Sequence, residues 1–259
     1  PKGGLDKMTV FEQMEFYSPV LRINNREENI DFYQNTLGFK VLSEENSLVI
    51  FGDWDQAGSL FLIEESPDIR TRAVKGTKKL NKIIIKASKT EEIAALLANG
   101  AQADKVFKGA NGYAFEAISP EKDRFLIHTE DDLTTLQETK QADYQPLPDF
   151  KGLSAFKVES MCLNVPDKVK SQNFYQDLFQ NQFPILLDFV ESHGEDLTIQ
   201  PHIAWDLEIL EIRVAENYDL VALKNYLEEK GQDVYLDKKE KILVFSDPSQ
   251  IEIWFRKVK

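Results

Sequence analysis

Residues 30–39 read IDFYQNTLGF, and residues 172–181 read QNFYQDLFQN. The shared triplet, Phe32-Tyr33-Gln34 against Phe174-Tyr175-Gln176, recurs at an offset of 142. The same offset, without a gap, sets Leu21 against Leu163 and Ile23 against Val165. Each triplet therefore follows an apolar strand by the same distance. Self-similarity at a fixed spacing marks a duplicated supersecondary unit.

Outward from the first triplet, residues 17–24 predict a strand and 26–37 a helix. Ile30, Tyr33 and Leu37 share one helical face, and Gly38 stands where a left-handed C-cap favours glycine. Short strands are expected near 39–43, 47–51 and 59–64. A second unit begins with a strand at 80–87 and a helix at 89–99, where Ser88 and Glu91 match a capping box. Strands near 103–107, 112–117 and 124–129 follow. A third strand and helix are expected at 157–165 and 167–179. A fourth pair is expected at 206–214 and 218–230, then strands near 233–236, 241–246 and 250–256. A helix after every strand would predict a parallel sheet. One helix per four strands predicts curved sheets with helices on their convex backs.

Composition bounds the class. Of the 259 residues 42% are apolar and 29% charged, which is globular. The net charge of −13 disfavours nucleic acid as a partner. The single cysteine, Cys162, rules out an internal disulfide and fits a reducing compartment. No apolar run is long enough to predict a membrane span. The opening PKGGLDK lacks the apolar core of a signal peptide, so the sequence alone points to the cytoplasm.

The motif Phe-Tyr-x-x-x-Leu-Gly-Phe is carried by Phe32, Tyr33, Leu37, Gly38 and Phe39. On this element order it resembles the vicinal oxygen chelate superfamily of glyoxalases, bleomycin-resistance proteins and extradiol dioxygenases. More narrowly, the chain resembles the CppA family. The resemblance implies an α+β fold of tandem βαβββ modules in two glyoxalase-like domains with curved mixed sheets. These would be an N-terminal domain at 8–130, a linker at 131–152 and a C-terminal domain at 153–259. It also implies degradation of complement C3 as the activity, C3 as the partner, a role in virulence, and a cell-surface or released location.

The residues themselves supply no proteinase motif: neither H-E-x-x-H nor G-x-S-x-G occurs. Cys162 sits among apolar strand residues and reads as structural rather than nucleophilic. In metal-using relatives, the resemblance implies a His or Gln on the first strand of a unit and a Glu on its last. Ser18, Lys82 and Leu126 are expected at those places in the N-terminal half, and Ser160, Ile209 and Glu252 in the C-terminal half. Only Glu252, in DPSQIEIWF at 247–255, is a metal donor of the usual kind. No metal and no cofactor are expected, and a metal-dependent lyase or dioxygenase ranks last. His193 and His202 lie in a connecting region within reach of Glu252.

Strand alternation then assigns faces. Leu21 and Ile23 point to the helices, so Ser18, Val20 and Arg22 point to the concave side. Lys82, Ile84 and Lys86 match them, joined by Leu126 and His128. Arg22, Lys82, Lys86 and His128 thus predict a cationic groove for a small anion or acidic peptide, unless the long side chains simply reach solvent. In the C-terminal half Glu211, Arg213, Glu252 and Trp254 predict a face of mixed charge with an aromatic wall, suited to a small molecule, a peptide or a domain contact. A metal-free binding protein is therefore the alternative to the proteinase.

Overall fold

The computed structural model describes residues 11–65, 70–140 and 143–258. The PKGGLDK stretch, on which the signal-peptide reading rests, lies outside them. Unit one comprises β1 (Met14–Ile23), α1 (Arg26–Asn35), β2 (Lys40–Glu45), β3 (Leu48–Gly52) and β4 (Leu60–Glu65). Unit two comprises β5 (Leu80–Ala87), α2 (Thr90–Ala98), β6 (Lys105–Lys108), β7 (Tyr113–Ile118) and β8 (Arg124–His128). A short 3-10 turn (Leu133–Thr135) and β9 (Gln137–Glu138) follow. Unit three has only β10 (Phe156–Val165), α3 (Lys168–Leu178) and β11 (Leu186–Glu191). Unit four has β12 (Leu207–Val214), α4 (Leu220–Glu229), β13 (Tyr235–Leu236), β14 (Ile242–Ser246) and β15 (Glu252–Lys257).

These strands form two curved mixed sheets, and each draws on both halves of the chain. The eight-stranded sheet runs β13-β14-β15-β12-β1-β4-β3-β2, joining unit four to unit one. The seven-stranded sheet runs β11-β10-β5-β8-β7-β6-β9, joining unit three to unit two. The seams are antiparallel, β1 on β12 and β10 on β5, and each seam carries a bulge at the same repeat position, Tyr17 and Glu159. Part of the segment expected as linker thus extends the sheet, since β9 pairs with β6.

The repeated Phe-Tyr explains the shared core. Tyr33 is fully buried, with ring centroids 5.2 Å from Phe61 on β4 and 5.6 Å from Phe125 on β8. Helix α1 therefore touches both sheets. Tyr175 repeats this 5.7 Å from Phe189 on β11, while its neighbour Phe174 stands 6.1 Å from Phe245 on β14. The helix-bearing faces of the two sheets share one apolar cluster.

Local signals account for most element ends. Asn25, Asp167 and Asp219 cap α1, α3 and α4 by accepting backbone N–H bonds. Gly38 adopts φ +76° as the C-cap reading requires. The capping box at Ser88 does not form. Helix α2 starts after Lys89 with no side-chain cap, because the Ser88 N–H is drawn to Ala155 O.

Candidate functional site

The bulges set the geometry of the eight-stranded sheet's open face. Val20 lies opposite Ile209 across the seam, beside Leu62 on β4, while Ile209 lies beside Glu252 on β15. Val20, Leu62 and Ile209 form a small buried cluster separate from the main core, bordered by Tyr17, Leu48, Ile50 and Trp254. They floor a cleft of about 440 Å³.

One end of the cleft is cationic. Glu211 is almost fully buried and accepts a 2.8 Å bond from Arg256 Nε, with Arg213 3.6 Å away on its other oxygen. Arg213 also lies 3.8 Å over the Tyr17 ring, and Arg256 lies 5.5 Å from the Trp254 ring. Burial raises the Tyr17 phenol above its usual range, opposed by Arg213. One carboxylate thus holds two guanidinium groups against two aromatic walls, leaving a net positive charge.

The other end is anionic and closed. Arg22 is nearly inaccessible and donates to Glu208, with Glu64 at 3.5 Å. His202 bonds Arg22 at 2.7 Å and stands 4.0 Å from Glu252. The expectation that a histidine of the connecting region reaches Glu252 is met by His202. Burial raises the Glu252 carboxyl, and His202 opposes the shift.

Of the residues singled out by sequence, Glu211, Arg213 and Trp254 line this cleft, and Glu252 lies beside its floor residue Ile209 in the strand register. Arg22 lies on the same sheet, but as a buried ion pair. Lys82, Lys86 and His128 lie on the other sheet, so the expected groove of Arg22, Lys82 and Lys86 is not formed. The cause is the pairing of β1 with β12 rather than with β5. Lys82 is bound to Glu116 at 2.6 Å and Lys86 to Asp131 at 3.2 Å. His128 is fully buried; its Nδ1 accepts the Glu130 N–H and its Nε2 faces Glu159 at 2.9 Å. Alternation along β15 could have added Arg256. Tyr17 is hidden from such a reading by the bulge, and Leu62 lacked any polar signal.

A glyoxalase-type metal does not fit these residues. At the sheet centre the four register-matched positions are Val20, Leu62, Ile209 and Glu252, three of them without a donor atom. Ser18 does not take the first-strand place; its hydroxyl accepts the Leu62 N–H within the sheet. The matching positions of the seven-stranded sheet are Cys162, Asp188, Lys82 and Arg124. Arg124, not Leu126, stands where unit four has Glu252, because Ile83 pairs Phe125 as Leu210 pairs Ile253. Two cations there repel a metal ion. Among the described residues no group of three His, Cys, Asp or Glu side chains could hold one.

Two seam-joined sheets of strand–helix–strand units define a glyoxalase-like fold. Glyoxalase I from Zea mays shares it at TM-score 0.59 and 12% identity, over 94% of this chain and 92% of that one. The chain belongs to the CppA family: its N-terminal family model matches residues 16–139 and its C-terminal model residues 153–255. The crystal structure of cppA protein from Streptococcus pneumoniae TIGR4 is 36% identical, over 95% of this chain and 99% of that chain, at TM-score 0.79. No curated protein matches the chain. Among the described residues no helix is long and apolar enough to cross a membrane.

Proposed function

We propose that this chain is a metal-free binding protein whose eight-stranded sheet takes an amphipathic anion, either a small carboxylate or a peptide ending in one. The carrying observation is the pairing of an apolar floor, Val20, Leu62 and Ile209, with Arg213 and Arg256 held by one buried Glu211. The ligand's apolar body lies on the floor between Tyr17 and Trp254. Its anionic group meets the guanidinium pair, whose planar donors suit a carboxylate.

The test is a thermal-shift and calorimetric comparison of aryl-alkanoic acids with their matching alcohols. The acids should bind more tightly. Arg256→Ala and Arg213→Ala should each abolish the preference for the acid, and Val20→Trp should fill the floor and block both classes. Equal binding of acids and alcohols by the wild type, or acid binding untouched by both arginine variants, overturns the reading.

Family membership favours complement C3 as the macromolecular partner, and its proteolysis as the second reading. The structure's nucleophile candidate for that reading is Cys162, whose thiol burial pushes up. Neither the His128 ring nor the His202 ring bonds a hydroxyl or thiol among the described residues. Under the binding reading, immobilised protein retains intact C3 and Val20→Trp releases it. New C3 fragments produced by purified wild type but not by Cys162→Ala would establish the proteinase.

A further inference from the structure

Unit three lacks part of the repeat. In unit one Glu65 on β4 accepts the backbone N–H of Arg26 at the start of α1. In unit three Glu191 on β11 does the same for Lys168 at the start of α3. The helix starts are 142 residues apart but the two glutamates only 126, so unit three is sixteen residues shorter between these fixed points. The missing length falls where unit one has β2 and β3.

Among the described residues strand β11 is consequently the last strand of the seven-stranded sheet, whereas its counterpart β4 is covered by β3. An uncovered strand presents a row of backbone donors and acceptors, a template for another strand. Here Leu186, Asp188 and Val190 are exposed on one face. On the other, a groove of about 520 Å³ opens between α3 and β11, lined by Gln172, Tyr175, Gln176, Phe183, Leu187 and Phe189.

Unit one shows what fills such a groove. Val49 pairs with Ile63 and Phe51 with Phe61, both fully buried, and Phe51 lies 5.1 Å from Tyr33. By register Ile63 matches Phe189, Phe61 matches Leu187 and Leu62 matches Asp188. Tyr33 matches Tyr175 through the repeat. A covering strand thus needs apolar side chains opposite Phe189 and Leu187. The residue between them, in the place of Ile50, faces Asp188.

We propose that β11 is a docking edge for an extended segment of another protein, added antiparallel, with the pattern apolar–basic–apolar. Asp188 selects the central cation, since opposite charges across a strand pair attract and like charges repel. The same rule disfavours a second copy of this chain. Two β11 strands aligned to match Leu186 with Val190 would set Asp188 against Asp188. The surface is separate from the cleft of the eight-stranded sheet.

The probe is a fluorescein-labelled peptide carrying Leu-Val-Lys-Phe-Gly, the β3 sequence with lysine in the place of Ile50, against the same peptide with glutamate there. The full-length protein should bind the lysine peptide roughly tenfold more tightly by anisotropy. Asp188→Lys should reverse the preference, and hydrogen exchange should show protection at residues 186–191. Val20→Trp should leave this binding unchanged. Failure of both peptides to bind, indifference to the central residue, protection elsewhere, or a dimer of this chain joined through β11 each overturns the proposal.

Discussion

Replacing Arg22 by methionine separates a structural ion pair from a ligand anchor. The guanidinium is 4% exposed and the Glu208 side chain 3%, so neither is screened by water. Arg22→Met removes the cation and leaves Glu208 with the His202 backbone N–H at 2.7 Å and the His202 ring at 3.7 Å. Breaking one side of a buried pair costs roughly 3–5 kcal/mol, because the remaining charge is uncompensated. For a chain of this size that is on the order of 10 °C in the melting temperature. Adding Glu208→Gln removes the stranded charge while its amide oxygen can still accept the His202 N–H. The double variant should therefore recover most of the loss. Urea unfolding of the wild type, both single variants and the double variant at neutral pH measures the coupling. A deficit below ~1 kcal/mol, the scale of an exposed pair, would refute the structural role, as would a double variant no better than the single.

Burial pushes the Asp123 carboxyl up to about 6, opposed by Lys78 at 2.7 Å. With the folded value above the unfolded one, the native state binds the extra proton, so this group's stabilising contribution fades as pH rises from about 4 to about 6. Asp123→Asn should flatten that part of the decline in chemical unfolding curves taken across the window; an unchanged slope contradicts the assignment. Gly38→Ala should destabilise by ~1–3 kcal/mol. The backbone there is at φ +76°, and an added Cβ would meet Leu96 Cδ2 at 2.9 Å and Leu153 Cγ at 3.2 Å. A melting temperature equal to wild type would show that the αα contact yields freely.

The fold was legible because each unit repeats one local pattern. Phe32-Tyr33 and Phe174-Tyr175 announce the helices, and Leu21 and Ile23 alternate correctly into the core. The partial site on β15 was legible for the same reason, since Glu252, Trp254 and Arg256 share a face by alternation. What could not be read is set by contacts across the chain. The bulge at Tyr17 shifts the register by one residue, which aims an aromatic ring at the cleft. A second irregularity, between Val20 and Leu21, leaves Glu208 as an extra residue on β12. That residue, from the far half of the sequence, turns Arg22 from a candidate anion receptor into a buried partner. A capping box such as Ser88 and Glu91 fails likewise, because the Ser88 N–H that Glu91 would accept is given to Ala155 O.

The two sheets share one repeat pattern, and their centres differ in opposite ways. On the seven-stranded sheet the centre holds Cys162, Asp188, Lys82 and Arg124, with Lys82 paired to Glu116 and the His128 ring bonded to Glu159. On the eight-stranded sheet three of the four centre positions, Val20, Leu62 and Ile209, are apolar, and charged groups flank them at either end. A closed ion-pair network resists a ligand, since entry must break bonds already made. An apolar floor with a held cationic pair at its rim loses little on accepting one, because Glu211 already positions both arginines. Under the proposed binding function, the same pair of seam positions, Val20 with Ile209 against Cys162 with Lys82, distinguishes the sheet with the apolar floor from the other. Replacing Ile209 by glutamate sets an anion on that floor and should abolish carboxylate binding in calorimetry, and an unchanged affinity would refute the argument.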